Sequence, residues 1–152
     1  MNKQIFVVSL TVILISSCSS TPPKLGVNNG ELIPCPESPN CVSTQAIDEA
    51  HLIPVFKVVG TQEKAQKQLL QILKAWPRAQ IVSVDKDYIR ATFTSKIFQF
   101  VDDVEFYFPL STTEETLIHC RSASRIGHSD FGVNRERVEK IANQLQALNN
   151  KN

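Results

Sequence analysis

Between positions 121 and 137 the chain carries four arginines and a histidine around two glycines: Arg121-Ser122-Ala123-Ser124-Arg125-Ile126-Gly127-His128-Ser129-Asp130-Phe131-Gly132-Val133-Asn134-Arg135-Glu136-Arg137. Guanidinium groups present rigid forks of donors that match carboxylate or phosphate oxygens, and a helix start offers free backbone N–H groups. The segment therefore has the chemistry of an anion site. The same residues also suit an internal clamp, because Asp102, Asp103, Glu105 and Asp130 are at hand as ion-pair partners. Both readings draw on one cluster: Arg121, Ser122, Ser124, Arg125, His128, Asp130, Asn134, Arg135 and Arg137, with Asp102 and Asp103. His128-Ser129-Asp130 names the residue types of a hydrolase triad, but neighbours in a chain do not converge that way, and there is no Gly-x-Ser-x-Gly elbow. No residue is assigned a catalytic role.

Four cysteines are present. Cys35 and Cys41 flank Pro36-Glu37-Ser38-Pro39-Asn40, a turn-rich segment that brings its own ends together, so a disulfide is expected in an oxidising compartment. The rival is a metal or redox pair, but the spacing is not Cys-x-x-Cys and no matching second pair exists. No metal and no cofactor are expected. Cys120, beside His119 in an expected strand, reads as a buried small apolar residue rather than a nucleophile.

The oxidising compartment follows from the start of the chain. Lys3 precedes an apolar run from Ile5 to Ile15 that is too short to span a bilayer but matches a signal-peptide core. It closes at Ile15-Ser16-Ser17-Cys18, which resembles a lipobox, where the cysteine is acylated with fatty chains such as palmitate. Residues 1–17 are thus read as a signal peptide, and residues 18–33, rich in Pro, Gly and small polar groups, as a lipidated flexible tether. Residues 34–150 remain for a single globular domain. Ser19 rather than Asp after the lipidated cysteine favours the outer over the inner membrane.

These residues must be held by regular elements. Ala65, Leu69, Ile72, Leu73 and Trp76 recur at helical spacing, Thr61 suits the N-cap, and Pro77 stops the helix, giving about 61–75. Runs at about 79–84 and 87–94 alternate around an Asp85-Lys86 turn. Asp103, Glu105 and Tyr107 alternate with Val104, Phe106 and Phe108 up to Pro109, and 115–123 forms the partner strand. With a strand at about 52–59 and a closing helix built on Val138, Ile141, Leu145 and Leu148, the order is strand, helix, four strands, helix. The expectation is α+β: an antiparallel sheet of about five strands covered on one face by two amphipathic helices.

The full chain has 16 basic and 15 acidic residues. Cleavage before Cys18 removes only Lys3 from this count, so the mature chain is neutral and no nucleic-acid partner is expected. Three motifs carry a resemblance: Cys35-Pro36-x-x-Pro39-Asn40-Cys41-Val42-Ser43, then Asp102-Asp103-Val104-Glu105-Phe106, then Arg121 to Arg137 with its Ser, Gly and Asn positions. Over about 34–145 the chain resembles the bacterial and plastid family called domain of unknown function 1499, departing only at Thr44, where the family's pattern has Ser. The resemblance implies a compact, often envelope-associated domain with no established reaction. The leading expectation is a non-enzymatic envelope lipoprotein, held on the membrane by its lipid and binding an envelope ligand or protein. The alternatives are an envelope hydrolase using His128, Ser129 or Asp130, and a structural lipoprotein whose arginines are wholly internal.

Overall fold

A computed structural model describes residues 24–150; the expected signal peptide and Cys18 lie outside the described residues. The elements in chain order are β1 (Val27–Asn28), β2 (Glu31–Leu32), β3 (Cys41–Ser43), β4 (Phe56–Val59), α1 (Gln62–Ala75), β5 (Ala79–Val84), β6 (Tyr88–Thr94), β7 (Val101–Tyr107), β8 (Glu115–Ser124) and α2 (Val133–Asn149). The class is α+β. The main sheet has six strands rather than about five, in the antiparallel order β3-β8-β7-β6-β5, with β4 also pairing β8. The strand missing from the sequence reading is β3, three residues too short to show a period.

Both long helices form where periodicity places them. The Thr61 hydroxyl accepts from the Lys64 N–H at 3.3 Å, and α1 ends at Ala75, with Trp76 as its extended C-cap just before Pro77. Ala65, Leu69, Ile72 and Leu73 of α1 and Val138, Ile141 and Leu145 of α2 share one buried cluster with Ile89, Ala91, Phe93, Val104, Phe106 and Ile118 of the strands. Successive strand residues point to opposite faces, so Tyr88, Arg90, Thr92, Asp103, Glu105, Tyr107, His119 and Arg121 share the other side of the sheet.

Residues 24–33, expected within the flexible tether, are ordered by a hairpin. Asn29 (φ 51°) and Gly30 (φ 83°) give the two left-handed residues of a two-residue turn between β1 and β2. Leu32 is buried, and its N–H donates to Gln45 Oε1 at 2.8 Å. The Gly26 N–H donates to Glu105 Oε1 at 2.9 Å, so the hairpin caps part of the sheet's polar side.

Candidate functional site

The arginine-rich junction divides into two networks on opposite faces of the sheet. Because Asp102 and Asp103 are consecutive in β7, their carboxylates leave the strand in opposite directions. On the apolar face, Arg137 of α2 donates to Asp102 Oδ2 at 2.5 Å, to Asn134 Oδ1 at 2.7 Å and to Ser122 Oγ at 3.2 Å. Its guanidinium also lies 4.8 Å from the centre of the Phe93 ring. Asn134, 1% exposed, accepts from Ser122 and donates to Asn40 O, Ser124 Oγ and Asp130 Oδ2. Asp130 also accepts from the Gly132 and Asn134 N–H groups, placing a carboxylate at the positive start of the α2 dipole.

On the polar face, Asp103 (1% exposed) takes hydrogen bonds from Arg90 Nη2 at 2.7 Å and Arg125 Nε at 2.7 Å. Burial opposes ionisation of this carboxyl, but the Arg125 and Arg90 hydrogen bonds outweigh it and hold it below the usual aspartate range. The Asp103 hydrogen bond raises the Arg125 guanidinium in turn. Glu105, fully buried, receives Arg121 Nη1 at 3.3 Å, the Tyr88 hydroxyl at 2.8 Å and the Gly26 N–H. Burial and the Glu105 charge push the Tyr88 phenol up. Burial pulls Arg121 down, against the attraction of Glu105, and Arg121 Nε has no hydrogen-bond partner among the described residues.

The remaining cluster members lie apart. Arg135 donates to the carbonyls of Ala50 at 2.7 Å and Leu52 at 3.0 Å. His128 is exposed, and no hydrogen bond joins it to Ser129 or Asp130 among the described residues; Ser129 Oγ instead accepts from the Phe131 N–H. The hydrolase constellation is not assembled. Sequence reasoning passed over Arg90, Tyr88 and His119. His119, half-buried, stacks on Tyr107 with ring centres 6.2 Å apart, its Nδ1 lies 3.1 Å from the Thr44 hydroxyl, and burial lowers its pKa. The signal for Arg90 was its strand parity, since Arg90, Asp103 and Glu105 all fall opposite apolar neighbours.

A family model described as a protein of unknown function (DUF1499) matches residues 31–145. The chain belongs to this family. Comparison of this DUF1499 chain with curated proteins finds no match. Among solved structures, the crystal structure of TTHA0849 from Thermus thermophilus is similar at 11% identity and a TM-score of 0.33, covering 71% of this chain and 98% of that one. In this DUF1499 domain Cys35 and Cys41 form a disulfide with Cα atoms 5.7 Å apart. Cys120 is free and buried, and burial pushes its thiol up, away from the nucleophilic thiolate. Among the described residues no three His, Cys, Asp or Glu side chains cluster to hold a metal, and no helix is long and apolar enough to cross a membrane. A groove of about 610 Å³ between β4 and α2 is lined by Ile53, Phe56, Ala142 and Leu145, with the Lys57–Glu115 ion pair at its rim.

Proposed function

We propose that this chain is a bacterial envelope lipoprotein whose DUF1499 domain is a non-enzymatic binding module, with the arginine-rich motif as its internal organising centre. One observation carries the non-enzymatic reading: all four arginines of the motif are engaged within the fold. Arg121, Arg125 and Arg137 meet Glu105, Asp103 and Asp102, and Arg135 meets two carbonyls. The carboxylates neutralise three of these guanidinium charges, and Arg121 and Arg137 are buried, so the cluster presents little accessible positive charge to a phosphate or carboxylate ligand. The envelope part rests on the leader: a short apolar core, a lipobox-like Ile15-Ser16-Ser17-Cys18 and Ser19 point to a periplasm-facing domain held by lipid on Cys18, at the outer rather than the inner membrane. The partners are that membrane and an envelope ligand or protein, not nucleic acid. Metabolic labelling with palmitate tests the anchor. Wild-type protein should take up label and float with membranes, and Cys18→Ala should do neither; undiminished label in the variant ends the lipoprotein reading.

A further inference from the structure

The β6–β7 loop (95–100) and the β8–α2 loop (125–132) lie at one end of the sheet. The Arg125 N–H donates to the Val101 carbonyl at 3.0 Å, and Asp102 pairs with Ser124. Five large apolar side chains project from these loops into solvent: Ile97, Phe98, Phe100, Ile126 and Phe131, the last two 48% and 97% exposed. Phe98 and Phe100 stack with ring centres 5.5 Å apart. Phe131 sits at φ 55°, an unfavourable conformation for a bulky residue, held there by the Ser129 hydroxyl on its N–H. Single exposed apolar residues are ordinary, but a group of this size at one end marks an interaction surface.

The chain's own entry point argues for what that surface meets. Gly30, at the hairpin turn, lies beside the Tyr107 hydroxyl, and Gly26 reaches Glu105, two residues nearer the start of β7. Followed backward from the turn, β1 therefore runs toward the end of the sheet that carries the two loops. Since the Gly26 N–H is tied to Glu105, the stretch from Cys18 to Gly26 is what separates anchor from fold, a maximum reach of roughly 26 to 29 Å. The rim of this end carries exposed Arg78 and Lys96, which suit anionic headgroups. The apolar side chains stand on protruding loops rather than lining a groove, as a lipid interface requires and a peptide-binding cleft does not.

We propose that these two loops form a membrane-contacting tip, with Phe98, Phe100, Ile126 and Phe131 seated at the headgroup level of the bilayer that holds the lipid anchor. The inference rests on the lipoprotein reading. The test uses the full chain made in a bacterium, purified in detergent and reconstituted into phosphatidylethanolamine–phosphatidylglycerol vesicles, with an environment-sensitive fluorophore on Phe98→Cys, Phe131→Cys or, in the remote β7–β8 turn, Thr112→Cys. Cys120 is buried and Cys35–Cys41 bonded, so the introduced thiol takes the label. Probes at 98 and 131 should shift to the blue and be quenched at least twofold by bromine-tagged lipid tails, while the probe at 112 does neither. A probe on Ile126→Cys should lose its quenching when Phe98→Ser and Phe131→Ser are combined, with the melting temperature unchanged. Equal responses at 98, 131 and 112 overturn the proposal, as does a blue shift that grows with protein concentration without vesicles, which would mark a contact between copies. Mass spectrometry of the N-terminal peptide separates the two readings. An unacylated Cys18 sinks the lipoprotein reading alone, and the contrast between 98 and 112, measured on Cys18→Ser protein added to vesicles so that no second thiol takes the label, still decides the tip.

Discussion

Glu105 has no exposure to water, yet it sits on the side of β7 that a period of two marks as polar. An isolated carboxylate there would be untenable, and its charge is met by Arg121, the Tyr88 hydroxyl and the Gly26 N–H. Removing one partner of such a pair is harsher than removing both. Arg121→Ala should therefore lower unfolding free energy in urea by about 3 to 5 kcal/mol, while a paired Arg121→Met, Glu105→Gln variant should lose less. A loss under about 0.5 kcal/mol in Arg121→Ala would show the pair to be idle. Asp103 makes a pH prediction. Its folded pKa is depressed, so its contribution is fully present above the ordinary aspartate value of about 3.9 and is lost as acid carries the pH through the lower folded value. The melting temperature should hold from pH 7 to about 5 and fall below about 4. Asp103→Asn should be less stable at neutral pH and have a shallower acid limb. The carboxylates Asp102, Asp103 and Glu105 and the arginines Arg121, Arg125 and Arg137 were legible in the Asp102–Phe106 and Arg121–Arg137 motifs, whereas Arg90 and Tyr88 lie outside both. The alternation of β7 also put Asp103 and Glu105 on one face, but which partner each side chain meets was not legible, because it turns on β6, α2 and the hairpin, brought to β7 only by the fold.

Among the elements, those with a sustained period could be read from the sequence: α1, β5, β6 and β8 fall within a residue or two of their expected limits. Strand β7 begins earlier than its alternation suggests, because Asp102 pairs with Ser124 and brings the first carboxylate into the ladder. The two-residue strands β1 and β2 have no period at all. Their one signal was Asn29-Gly30, the residue pair that a tight hairpin turn demands. Strand β3 is defined by pairing with Ala123, Ser122 and Arg121, and it carries Cys41, so the disulfide pins the start of this strand to the turn before it. Reducing Cys35–Cys41 should lower stability by about 2 to 3 kcal/mol in the loop-entropy account, measured by urea denaturation with and without reductant. An unchanged midpoint would mean that the Pro36–Asn40 turn holds itself closed.

At the scale of the whole molecule, internal ion pairs tie Asp102 and Asp103 on opposite faces of the sheet, while one end of it presents five large apolar side chains to a partner. The sequence contains Ile97, Phe98 and Phe100 in plain view, but exposure is a property of the assembled fold, and nothing local distinguishes these residues from core. The distribution of sulfur atoms has a separate consequence, for how the protein reaches its fold. Cys35 and Cys41 are 6 residues apart, and Cys120 is far along the chain. Closing a loop to Cys120 spans roughly 80 residues and is about 50-fold less probable by the three-halves power of length. Chain length therefore favours the Cys35–Cys41 pair in the unfolded chain, and in the folded protein Cys120 is buried in β8, out of reach of thiol exchange. Reduced, denatured protein with Cys18 replaced by Ser should regain the Cys35–Cys41 bond in an aerobic glutathione buffer without an isomerase. Early products rich in Cys120 bonds would show that collapse, rather than chain length, chooses the pairing.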